Sequence, residues 1–121
     1  MTGRRLLIVD DEVDFGKFVR RVATEMGYEV EVTSNERDFK ETYRRFDPTD
    51  IVLDIVMPAA DGIDLARWLV AMKCKARIVI ISGFDPSFAK AAELVAHIGD
   101  LTSTLRLSKP VSVAQLKHAL S

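Results

Sequence analysis

The chain has 121 residues, the size of one ordinary domain spanning 1–121, and its 48% hydrophobic and 29% charged content is that of a globular chain with a real core. The single cysteine, Cys74, excludes an internal disulfide and fits a reducing compartment. Seventeen basic residues against eighteen acidic ones leave no nucleic-acid footprint, and the apolar run after Arg4 and Arg5 is too short for a signal peptide or a membrane span. The expected location is cytoplasmic, with no membrane and no direct nucleic-acid partner.

Leu6–Val9 is a short apolar run that stops at Asp10, as a strand buried on both faces would. Phe15, Phe18, Val19, Val22 and Met26 recur at helical spacing, and Gly27 supplies a C-terminal cap. Tyr28–Val32 alternates like an edge strand. Phe39, Tyr43 and Phe46 mark a second helix, which Asp47-Pro48 ends. Ile51–Leu53 is a strand stopping at Asp54, with Pro58 and Gly62 in the loop beyond it. A third helix runs from about Asp61 to Lys73, and Ile78–Ile81 is the most apolar strand, ended by Ser82-Gly83. A fourth helix is expected from Phe88 to Ile98, a last strand at Leu105–Leu107, and a last helix carrying Val113, Leu116 and Leu120.

Five βα units predict an α/β fold, a parallel sheet with right-handed crossovers and helices on both faces. Ligands in such folds sit beyond the carboxyl ends of the strands. The residues there are Asp10, Asp11, Asp54, Ser82 and Lys109, all polar. An aspartate after a strand is often only a helix cap. Three carboxylates from two neighbouring strand ends, however, would repel unless a cation intervened. Oxygen donors without His or Cys point to magnesium or a similar ion rather than zinc. Lys109 adds a fixed positive charge and Ser82 a hydroxyl. A cation, an ammonium and a hydroxyl around one carboxylate make a receptor for a phosphoryl group. Glu12 reads as a first-turn helix charge and Trp68 as packing or a partner contact.

Asp10-Asp11-Glu12, Asp54 through Met57-Pro58, Ser82 and Lys109-Pro110, each in order at a strand end, resemble response-regulator receiver domains along essentially the whole chain. The resemblance implies a flavodoxin-like doubly wound (βα)5 fold with strand order 2-1-3-4-5. It implies Asp54 as phosphoacceptor, and Asp10, Asp11, Asp54 and the Val56 backbone carbonyl around Mg2+ (or Mn2+). Lys109 would bind a phosphoryl oxygen, with the Lys109–Pro110 bond cis, and Ser82 would move to the phosphoryl group. The implied partners are a histidine kinase or histidine phosphotransfer protein, a downstream output protein or domain, and a second copy of the chain after phosphorylation. The chain would assist its own phosphorylation without being an enzyme.

Two departures carry expectations. Val56 and Phe84 flank the approach of a hydrolytic water in the family, and here both are apolar, which predicts a long-lived phosphoryl group. Three residues before the lysine, where receivers carry an aromatic ring, stands Arg106. A guanidinium does not fill an apolar pocket. Output should therefore run through the Gly83–Ser87 loop and the fourth helix, with Arg106 an exposed charge on the face of the fourth helix, fifth strand and fifth helix. The competing functions are a flavodoxin-like nucleotide binder, a small phosphatase with an aspartyl nucleophile, and a receiver-like docking module that takes no phosphate. The first lacks its Ser/Thr/Gly phosphate loop, and the second would put nucleophile and acid two residues apart after one strand, whereas the best nucleophile here, Asp54, lies on another strand.

Overall fold

A computed structural model describes residues 3–54, 61–82 and 104–121, with the backbone alone described at 61–63, 82, 104 and 106. The expected fourth helix and all of Val56, Gly83 and Phe84 lie outside these residues. The elements are β1 (Arg5–Val9), α1 (Val13–Glu25), β2 (Glu29–Thr33), α2 (Glu36–Phe46), β3 (Asp50–Asp54), α3 (Asp61–Ala71), β4 (Arg77–Ser82), β5 (Thr104–Ser108) and a last helix (Val113–Leu120). All strand pairings are parallel and run β2-β1-β3-β4-β5, the doubly wound order expected. Among the described residues no helix is long and apolar enough to cross a membrane.

Local chemistry fixes the helix ends. Gly27, at φ +94°, takes the left-handed turn between α1 and β2 that a side chain would resist. The Asn35 side chain accepts from the Asp38 amide to start α2, and Asp47, itself left-handed, closes it before Pro48. Ser112 and Gln115 form a reciprocal capping box at the head of the last helix.

The sheet separates two cores. Leu7, Val9, Ile51, Leu53 and Ile80 point toward α2 and α3 and meet Phe39, Leu65 and Leu69. Leu6, Ile8, Val52, Val79 and Ile81 point the other way, toward Val19 and Val22 of α1 and Leu116 and Leu120 of the last helix. Each such side chain contributes about 1.5–3 kcal/mol through burial. Trp68 of α3 is half-buried against Phe39 and Tyr43, edge-on to both, with Lys40 and Arg44 over its ring. Its role in the fold is packing.

The end of the sheet where the strands begin is tied by polar groups. Arg77 donates from Nε (2.8 Å) and Nη2 (2.5 Å) to Asp50 Oδ2. Tyr28 Oη lies 2.7 Å from the Leu120 carbonyl and 3.2 Å from Asp50 Oδ2. One hydroxyl carries one proton, and the shorter contact takes it. Arg4 donates to the same carbonyl at 2.8 Å and lies over the Tyr28 ring, so the last helix is clasped to β1, β3 and β4.

Candidate functional site

The backbone sets the site before any side chain reaches out. Leu6 and Ile8 face α1, so the two-residue period of a strand carries Asp10 to that side, one step past β1. Val52 does the same for Asp54, and Leu107 for Lys109. Val9 pairs with Leu53 in register, which sets Asp10 beside Asp54. The carboxylate site therefore continues the core between the sheet, α1 and the last helix.

Carboxylate oxygens of Asp10, Asp11 and Asp54 all lie within 4.8 Å of one another. Asp10 and Asp54 are each 1% exposed, while Asp11 faces solvent. Asp10 Oδ1 accepts from the Glu12 backbone N–H at 2.8 Å, and its Oδ2 lies 3.2 Å from Lys109 Nζ. Asp10 is not the cap of α1, whose N-cap is Glu12; one of its oxygens holds the Glu12 amide while the other faces Lys109. Burial pushes Asp10 above the ordinary carboxylate range, and the Glu12 amide and Lys109 pull it back only in part.

Lys109 Nζ reaches across β4 from the end of β5. It lies 2.5 Å from Glu12 Oε1, 3.2 Å from Asp10 Oδ2 and 3.6 Å from Asp54 Oδ2, and 4.5 Å from the centre of the Phe15 ring. Burial opposes its charge, but Glu12, Asp54 and Asp10 outweigh burial and hold it above the ordinary lysine value. The Lys109–Pro110 bond, expected cis, is cis.

The structure thus brings Asp10, Asp11, Asp54 and Lys109 together. Ser82 ends β4 level with Ser108, the residue before Lys109, so its backbone is at the same end of the sheet. Arg106 lies in β5 opposite Ile80. The side chains of Ser82 and Arg106, and all of Val56, Gly83 and Phe84, lie outside the described residues. Two neighbours of the site were missed in the sequence. Glu12 precedes α1, makes no cap bond with its side chain, and pairs with Lys109 instead. Phe15, read as a core position of α1, puts its ring against the ammonium. The signal for Glu12 was the third acid in a row beside an expected cation; nothing in the sequence singled out Phe15.

Oxygen anions on two strand ends with one fixed ammonium form a cradle for a hard dication. The donor set fits such an ion, since all three ligands are carboxylates and burial already disfavours the charge of Asp10.

Known proteins resemble this chain in sequence and in fold. The family profile "Response regulator receiver domain" matches residues 6–121. The chain is 33% identical over 120 residues to the chemotaxis protein CheY of Thermotoga maritima, covering 98% of this chain and 96% of that protein. It is 29% identical to response regulator MprA of Mycolicibacterium vanbaalenii, covering 93% of this chain but only 46% of that protein's length. Among solved structures, the receiver domain of a response regulator from Bermanella marisrubri superposes with a TM-score of 0.82 at 26% identity, covering 98% of this chain and 96% of that one. A CheY-like receiver domain protein from Methanospirillum hungatei gives 0.85 at 18% identity, covering 98% and 91%, a likeness of fold. A profile that runs from the first buried strand through the last helix, over the strand ends that gather these acids and the lysine, makes this chain a member of the response-regulator receiver-domain family.

Proposed function

We propose that the chain is a phosphoacceptor switch of a two-component phosphorelay, taking a phosphoryl group onto the carboxylate of Asp54. The observation that carries this reading is the meeting of three carboxylates within 4.8 Å with Lys109 Nζ 3.6 Å from Asp54 Oδ2. The donor is a phosphohistidine of a histidine kinase or phosphotransfer protein. The N–P bond of the donor breaks as an O–P bond to Asp54 forms, and the histidine nitrogen keeps the electron pair. Such a transfer gathers charge on the phosphoryl oxygens, so its catalysis is mostly positioning and neutralisation.

Asp10, Asp11, Asp54 and the Val56 carbonyl would hold Mg2+ or Mn2+, which when bound neutralises charge on the phosphoryl oxygens. Lys109 supplies a second positive charge, 3.6 Å from Asp54 Oδ2, and Ser82 would follow the phosphoryl group. The chain assists its own phosphorylation and acts on no other substrate. It works in the cytoplasm and passes its state to an output protein or domain.

Labelling by acetyl phosphate in the presence of magnesium tests this. Wild type should label, and Asp54→Asn or EDTA should abolish the label. An Asn variant that labels fully moves the acceptor elsewhere, and a wild type that never labels leaves the docking-module reading.

A further inference from the structure

The ammonium of Lys109 has three N–H donors, and its surroundings are taken. Glu12 Oε1 stands at 2.5 Å, Asp10 Oδ2 at 3.2 Å and Asp54 Oδ2 at 3.6 Å, with the face of Phe15 at 4.5 Å. The contact to Glu12 is the hydrogen bond, while Asp54 Oδ2 lies beyond hydrogen-bond distance, so a phosphoryl oxygen arriving on Asp54 competes with Glu12 for the lysine. The Asp10 and Asp54 side chains are 0% and 1% exposed, whereas that of Glu12 is 63% exposed. The partner that leaves at least cost is the one that water can receive. Glu12 is also the nearest, so it holds the position of strongest attraction. A carboxylate oxygen and a phosphoryl oxygen accept the same charge-assisted hydrogen bond from an ammonium.

Resting on the reading of Asp54 as phosphoacceptor, we propose that Glu12 is a placeholder for the phosphoryl group. Its carboxylate occupies Lys109 in the unphosphorylated protein and gives the lysine up when a phosphoryl oxygen replaces it. Glu12 is a positioning residue that acts through Lys109. It weakens capture of the phosphoryl group, and on capture its charge is released to solvent at the head of α1. The phosphorylated state thereby gains an exposed anion there, beside the exposed Asp11 and Asp14.

The probe is beryllofluoride with magnesium, which mimics the phosphoryl group without chemistry, followed by the 19F signal of the bound ion. Glu12→Gln should bind it about two- to five-fold more tightly, the range that a partly exposed ion pair is worth. Asp14→Asn, which removes an exposed charge of the same first turn, should change binding much less. In the wild type, with the glutamate side chains carbon-13 labelled, the Glu12 carboxylate resonance should move to the position of a free glutamate as beryllofluoride binds; this arm needs no variant. The placeholder is overturned if Glu12→Gln binds no tighter, if Asp14→Asn tightens binding equally, or if the Glu12 resonance stays in place while the 19F signal shows binding. A wild type that takes no beryllofluoride with magnesium overturns the acceptor reading itself, and the placeholder with it.

Discussion

At the scale of single residues, Asp10 shows how the site stores a cost that a bound cation would relieve. Its folded pKa is raised above 3.8, with burial the largest cause. A folded state that binds the proton more tightly than the unfolded chain is destabilised when the group is ionised. Without metal, Asp10 therefore lowers stability at neutral pH, and the loss fades as pH falls through its folded pKa toward 3.8. Asn keeps the oxygen that accepts from the Glu12 amide and removes the charge. Metal-free Asp10→Asn should be more stable than wild type at pH 7, by on the order of 1 kcal/mol, with the gap closing below pH 4 in urea titrations with EDTA present. A variant less stable than wild type would mean that the Lys109 ion pair outweighs burial.

At the scale of elements, β1, β3 and β4 were legible because burial on both faces writes an unbroken apolar run, and the polar residue ending the run marked the strand end. Asp10 and Asp54 came from that alone, and Lys109 from its place just past the last strand. What the sequence hid depends on reach between elements. Glu12 looked like a helix charge because its partner is 97 residues away, and no local pattern encodes that meeting. Asp50 stands just ahead of the apolar run Ile51–Leu53, where no pattern singled it out, and it is 3% exposed and holds the Arg77 fork. Asp50→Ala should cost about 2 kcal/mol, the range for hydrogen bonds to a charged group, read from the denaturant midpoint. The same clasp predicts an alkaline limit. Burial, with Asp50 second, raises Tyr28 above its ordinary 10.0. Its stabilising share is complete below pH 10 and is lost as pH rises through the folded pKa, because the unfolded chain ionises first. Tyr28→Phe should flatten part of the fall in stability above pH 10; an unchanged slope would assign that fall to other groups.

At the scale of the whole molecule, an ion that binds only the folded chain stabilises it by mass action. Each tenfold rise in magnesium above its dissociation constant should add about 1.4 kcal/mol, or roughly 3–6 °C in melting temperature for a domain of this size. Asp54→Asn should shrink that shift, and potassium chloride of equal ionic strength should not produce it. A melting temperature indifferent to magnesium would remove the cation from the site. The sheet, meanwhile, divides the molecule into two halves of unlike optical character. The chain's one tryptophan, Trp68, is wedged against Phe39 and Tyr43 on the α2–α3 side, while the carboxylates and Lys109 belong to the opposite side. Its emission is therefore a private channel from one hemisphere, brightening or dimming with the α2–α3 seam. Set against circular dichroism, which sums over every helix, that single fluorophore tells whether the two hemispheres melt in step or one after the other.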